Sequence, residues 1–142
     1  MSKVERSTRS RRLSPRVGGV NHLAVVVRDL ARAERFYRRL FGLAVVKRWR
    51  DEHGRPRSVW LALDARIFLA LERATGPAGR RRAASSGWHC VALTIARRER
   101  QAWRQRLTRA RVPIERETAY TLFVRDPEGN LIGLSHYPRA AP

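Results

Sequence analysis

The feature that most constrains this chain is that it repeats itself. His22 opens the apolar run NHLAVVV and His89 opens WHCVALTI. The two histidines are 67 residues apart, and the same 67 separates Phe36 from Trp103 and Leu40 from Leu107 in the helical stretches that follow. Both halves also close on similar apolar segments, FLALE at 68–72 and LIGLS at 131–135, with Ala70 and Gly133 in the middle places. One spacing held across strand-like and helix-like patterns is a property of architecture rather than of composition, so a fold made of two copies of one unit is expected.

The unit can be read from its periodicities. Residues 20–27 are apolar and partly β-branched, the pattern of a buried strand. Asp29 is placed to cap a helix in which Leu30, Ala33, Phe36, Tyr37, Leu40 and Phe41 recur at three- and four-residue steps. Arg32, Arg35, Arg38 and Arg39 fall mostly on its other side, and Gly42 ends it. Residues 43–50, 58–63 and 67–72 read as strands, with a turn at 52–56. A Gly-, Pro- and Arg-bearing linker at 76–86 follows, and the pattern restarts. Its second pass is a strand at 88–95, a helix at 98–110 and strands near 114–117, 120–125 and 131–137, the last two joined by the turn DPEGN. The expected fold class is α+β, with two tandem β-α-β-β-β modules at 17–75 and 87–138 inside one domain spanning 17–138. Residues 1–16 read as a disordered basic tail and 139–142 as a short tail.

Composition sets outer limits. Of the 142 residues 43% are apolar, enough for one real core. No run approaches the roughly 20 apolar residues that cross a bilayer. The start of the chain lacks the apolar segment of a secretory signal, so a cytoplasmic protein without membrane contact is expected. The single cysteine, Cys90, rules out an intrachain disulfide and reads as a small buried apolar residue, since no neighbouring charge activates it. A formal net charge of +19 raises nucleic acid as a partner. The cations are scattered, however, and nearly all are arginine, with lysine only at positions 3 and 47. No basic-aromatic recognition motif accompanies them. Nonspecific attraction to nucleic acid and steering of an anionic small molecule are therefore the expected consequences, not sequence recognition. No Ser-His-Asp order, phosphate loop or CxxC pair stands out, which turns the reading away from nucleotide-driven and thiol-redox enzymes.

The stretches NHLAVVVRDLARAERFYRRLFGL and LFVRDPEGNLIGLSHYP, each in its place within a β-α-β-β-β unit, resemble the vicinal oxygen chelate superfamily over residues 17–138. That superfamily includes glyoxalase I, extradiol dioxygenases, fosfomycin-resistance enzymes and metal-free bleomycin-binding proteins. The resemblance implies a curved, open sheet, a half-barrel, around a cup that holds ligand and metal, and it implies a homodimer. It also implies a metal site drawn from the first and last strands of each unit, here His22, Ala70, His89 and Gly133. The histidines suit a divalent metal such as Zn, Fe, Ni or Mn. The usual carboxylate does not follow, since the common ending G-N-L-I-E-L reads GNLIGL here.

Glu72 lies two residues beyond Ala70 on the same strand face and is the candidate third ligand, although displaced by about 7 Å. Substrate contacts are expected from Tyr120, Thr121 and Arg125 before the DPEGN turn and from Trp60 in the cup; no catalytic base is identified. The leading expectation is a metal-dependent lyase, isomerase or oxygenase acting on a small oxygen-bearing substrate, with the absent carboxylate weighing against glyoxalase I activity. The alternative is a metal-free binding protein of the bleomycin-resistance type. Its basic surface would favour an anionic compound over the cationic one those relatives hold.

Overall fold

A computed structural model describes residues 17–82 and 87–138, so the expected tails at 1–16 and 139–142 and part of the linker lie outside the described residues. The chain runs β1 (His22–Val27), α1 (Leu30–Phe41), β2 (Val45–Arg50), β3 (Pro56–Ala62) and β4 (Phe68–Arg73). After the linker come β5 (Val91–Thr94), a 3-10 turn at Arg97–Glu99, α2 (Arg100–Arg109), β6 (Arg116–Glu117), β7 (Thr121–Arg125) and β8 (Leu131–Ser135). The fold is α+β, and the order is the expected β-α-β-β-β twice. The open sheet of the expectation consists of two four-stranded sheets, ordered β1-β4-β3-β2 and β5-β8-β7-β6. In each, the first strand lies parallel to the last and the remaining pairs are antiparallel.

Local chemistry explains the boundaries of α1. The Asp29 side chain accepts from the Arg32 amide at 2.9 Å, and Gly42 closes the helix in a left-handed conformation with φ 71°. Its apolar stripe, Leu30, Ala33, Tyr37 and Leu40, is buried against Val59, Leu61, Leu69 and Leu71, the residues of β3 and β4 that alternate onto that face. The other face of the first sheet carries His22, Ala24, Ser58, Trp60, Phe68, Ala70 and Glu72, the complementary half of the same alternation. In module two, Leu107 of α2 joins Leu122, Val124, Ile132 and Leu134 in the core, which leaves Thr121, Phe123 and Gly133 on the opposite face.

The DPEGN turn fastens the modules together. Asp126 is 1% exposed, and its carboxylate accepts four hydrogen bonds: from Tyr37 Oη on α1 at 2.7 Å, from the Glu128 and Asn130 amides, and from Asn130 Nδ2. Glu128 accepts from Arg28 Nε at 2.8 Å, again across the modules. Gly129 has φ 88°, and a Cβ there would stand 2.7 Å from the Arg81 carbonyl, so both conformation and space require glycine. Burial, followed by the nearby Asp126 charge and hydrogen bond, pushes the Tyr37 phenol well above its ordinary pKa and keeps it a donor.

Candidate functional site

β1 and β5 each end their sheet, so each has a backbone ladder on one side only. Between them lies a cavity of about 480 Å³. That volume falls within the roughly 300–1,000 Å³ of small-molecule sites. His22, Arg81, Trp88, His89, Cys90 and Asn130 border it, and most of the remaining lining is aliphatic side chain from β1, β5, β4 and β8. Among the described residues the one charged side chain at its wall is Arg81, which donates to the Trp88 carbonyl, and no carboxylate lines it.

His22 holds a defined place at the edge of this space. Its Nδ1 lies 2.8 Å from Asn21 Oδ1; with that oxygen accepting, Nδ1 carries the proton and Nε2 is left as an acceptor. One face of its ring lies on Phe68, with centroids 4.9 Å apart and planes 4° apart. Phe68 in turn stacks on Trp60 at 4.3 Å, and Trp60 meets Trp49 at 5.5 Å. Lys47 Nζ stands 3.8 Å over the Trp49 ring. A row of rings thus crosses the first sheet from β2 to β1: His22 and Phe68 are directly paired, whereas Phe68 reaches Trp60, and Trp60 reaches Trp49, diagonally across neighbouring strands. Among the described residues Trp60 Nε1 is buried with no hydrogen-bond partner.

The second half of the site departs from the sequence spacing. Ala24 pairs with Ala70 and Ala92 with Gly133, so counting back two residues puts Cys90, just ahead of β5, and not His89, at the position matching His22. His89 is one step earlier and lies before β5 begins. A one-residue offset changes the face a strand position presents, which is why the 67-residue spacing of the helices does not carry over to the strands. His89 still reaches the same cavity, with Nε2 3.4 Å from a guanidinium nitrogen of Arg116. Since a guanidinium only donates, that nitrogen's lone pair faces a cation.

The donors do not fit a three-ligand metal centre. Among the described residues no group of three or more His, Cys, Asp or Glu side chains is arranged to hold a metal ion. Glu72 pairs with Val26, four residues along from the Phe68–His22 pair, and accepts from Ser58 Oγ at 2.7 Å. That offset amounts to about 13 Å along the strand. Ala70 is buried and Gly133 has no side chain. A Cβ at Gly133 would be in ordinary contact with Ala92 Cβ and Phe123 Cε1 at 3.5 Å but only 3.0 Å from Thr121 Cγ2, so a side chain there requires the Thr121 methyl to give way.

The expected substrate-contacting residues divide. Trp60 stacks on Phe68 beside His22 but does not itself line the cavity. Thr121 is buried and bonds Ser135 Oγ at 2.9 Å, and Tyr120 packs edge-on against His136 and Tyr137. Arg125 is committed to Glu115 and to the Gly129 carbonyl, which it reaches at 2.7 Å. Neither Tyr120, Thr121 nor Arg125 lines the cavity. Sequence reasoning did not single out Phe68, Asn21, Arg81 or Asn130. Phe68 was reachable only through the parallel register that sets it beside His22, a nonlocal fact that strand alternation alone does not contain.

Comparison with known proteins agrees with this architecture. The family model described as Glyoxalase/Bleomycin resistance protein/Dioxygenase superfamily matches residues 19–134. A variant of the fosfomycin resistance protein FosX from Listeria monocytogenes, complexed with Mn(II) and 1S,2S-dihydroxypropylphosphonic acid, aligns with TM-score 0.70 and 16% identity over 87% of this chain and 95% of its own. A glyoxylase/bleomycin resistance protein/dioxygenase domain from Frankia sp. EAN1pec aligns with TM-score 0.70 and 17% identity over 84% and 98%. Lactoylglutathione lyase from Agrobacterium tumefaciens aligns with TM-score 0.61 and 22% identity over 84% and 93%. No curated protein matches the chain at a significant level.

Proposed function

This chain belongs to the glyoxalase/bleomycin resistance protein/dioxygenase superfamily, and from that premise we propose that it is a metal-independent small-molecule-binding protein whose ligand occupies the cavity between β1 and β5. The observation that carries this reading is the state of the inherited metal place. Both histidines border the cavity, yet Thr121, Ala92 and Phe123 pack around Gly133 and Glu72 is engaged elsewhere. What remains is a mostly aliphatic chamber with an imidazole acceptor on one side and Arg81 at its wall. Those features suit an apolar body carrying an anionic or oxygenated group. The surrounding positive charge adds long-range attraction for such an anion. Among the described residues no helix is long and apolar enough to cross a membrane.

The test is elemental analysis together with native mass spectrometry of untagged protein purified without chelator, compared with His22→Ala and His89→Ala. We expect no stoichiometric transition metal, and a small molecule retained by the wild type that survives EDTA and is reduced in the His22 variant. A second reading, a two-histidine centre for a divalent metal serving lyase, isomerase or oxygenase chemistry, is favoured by one observation: His22 and His89 reach the same cavity. Near-stoichiometric Zn, Fe, Ni or Mn, lost in both variants, would establish that reading and remove the first. The family resemblance also favours a homodimer; sedimentation at micromolar concentration reads the oligomeric state directly.

A further inference from the structure

The seam between the modules holds more room than the cavity described above. That cavity adjoins a second space of about 460 Å³, and Leu23 of β1, Leu63 beyond β3, and Val91 and Leu93 of β5 border both. These side chains do not belong to the ring-bearing face. Strand alternation turns His22, Ala24, Ala92 and Thr94 one way and Leu23, Val25, Val91 and Leu93 the other, onto the core side. The second set is only partly buried although it faces the core. β1 and β5 are end strands of separate sheets, and no backbone ladder closes the gap between them. The ends of the seam differ in charge. At one end stands Arg81, beside Asn130; it gives one nitrogen to the Trp88 carbonyl, and a guanidinium has further donors to offer. At the other stands Asp64, near Phe41 and Trp103, its carboxylate already accepting from the Arg66 and Ile67 amides. Among the described residues no other Arg, Lys, Asp or Glu lines either space.

We infer that the seam binds an unbranched long-chain carboxylate, its head at Arg81 and its chain laid between β1 and β5 toward Trp103. This rests on the binding reading above and adds the shape and charge of the ligand. Three features converge on it. The two spaces follow β5 from Cys90 to Ile95, about 17 Å of extended chain, so the room is long where a compact ligand would need it broad. The walls where the spaces meet are aliphatic from both modules, which suits a hydrocarbon chain and offers no partner to a polar group along its length. The charges set the direction: Arg81 attracts a carboxylate head, and Asp64 repels one from the far end.

The experiment titrates the full chain by calorimetry with octanoate, decanoate and dodecanoate, each below its micelle concentration, and with dodecyltrimethylammonium. The expected result for the wild type is one carboxylate per chain, with affinity rising through dodecanoate by about fourfold for each buried methylene. The cationic probe should bind about tenfold more weakly than dodecanoate. Leu93→Phe, or Leu23→Phe from the other wall, narrows the place where the spaces meet; in whichever variant thermal melts show to be folded, dodecanoate should fall to the affinity of octanoate. Arg81→Gln should remove the preference for the anion and keep the dependence on chain length. A wild-type affinity that stops rising at octanoate, or a chain-length dependence untouched by narrowing the junction, overturns the long-chain inference and leaves the binding reading standing. Equal binding of the cationic probe overturns the role of Arg81, and binding of no carboxylate overturns the ligand class. The binding reading falls as well only if native mass spectra of the wild type show no retained small molecule.

Discussion

Two modules with the same strand order present opposite surfaces at matching places. On module one, the face turned away from α1 reads His22, Phe68 and Trp60 across three strands; on module two, the same places read Cys90, Leu131 and Phe123. Further along, Ser58 bonds Glu72 in module one where Thr121 bonds Ser135 in module two. Trp60 stacks into the row of rings, whereas Phe123 is covered by the Arg116 guanidinium at 4.2 Å. The backbone pairing is retained, and the divergence lies in side chains that do not enter the two cores. A duplicated scaffold can thus carry a row of stacked rings in one module and a thiol, an aliphatic side chain and a cation-covered ring at the matching places of the other.

The modules also differ in what their last hairpin turns do, and the largest expected effect tests that difference. Each turn is headed by an aspartate that accepts from amides ahead of it: Asp64 from Arg66 and Ile67, Asp126 from Glu128 and Asn130. Asp64 is exposed, while Asp126 is buried and also receives Tyr37 from the other module. Asp126→Ala leaves the Tyr37 hydroxyl and two amides without their acceptor and should destabilise the protein by about 3 kcal/mol in urea unfolding. Asp64→Ala should shift the midpoint far less. Similar shifts for the two variants would mean that the DPEGN turn is a local feature and not the fastening between modules.

Ala70 and Gly133 occupy the same register place, and the comparison there turns on a single methyl group. Gly133→Ala sets a Cβ 3.0 Å from Thr121 Cγ2 and should cost about 1–2 kcal/mol through overpacking. In a Thr121→Ser background that methyl is gone, so the same change should become close to neutral; a double-mutant cycle by chemical denaturation measures the coupling. If Gly133→Ala is equally costly in both backgrounds, the glycine is required by the backbone, and the account of why no carboxylate arm leaves this place fails.

How much of this was legible in the sequence follows physical range. The helix from Leu30 and its Asp29 and Gly42 ends were readable because capping and a 3.6-residue period are local. The duplication was readable, but its 67-residue spacing held for the helices and slipped by one at β5, because a single residue between strand and helix is invisible until strands pair. Arg125 illustrates another limit. Its position before the turn suggested a ligand contact, whereas Glu115, ten residues back on the partner side of the hairpin, holds it. Phe68 reads as an ordinary strand residue until the parallel pairing sets it beside His22.

The smallest expected effect concerns the ion pair that joins the modules beside Asp126. Burial pushes the Glu128 carboxyl up, but hydrogen bonds from the Arg28 side chain and from the Asp29 and Arg28 amides more than offset it, so its pKa lies below the ordinary glutamate value. A carboxylate with a depressed folded-state pKa stabilises the fold above its unfolded pKa, and the contribution is lost as pH falls through the folded value. The loss should therefore begin as pH drops below about 4.3, the ordinary glutamate pKa. Because the Arg28 side chain is 42% exposed, solvent screens the pair and the effect should stay under about 1 kcal/mol. Glu128→Gln should flatten the acid limb of a stability-against-pH profile while leaving the Asp126 fastening in place. An acid limb identical in wild type and variant would assign that pH dependence to the exposed carboxylates, and the fastening would then depend on Asp126 and Tyr37 without help from Glu128.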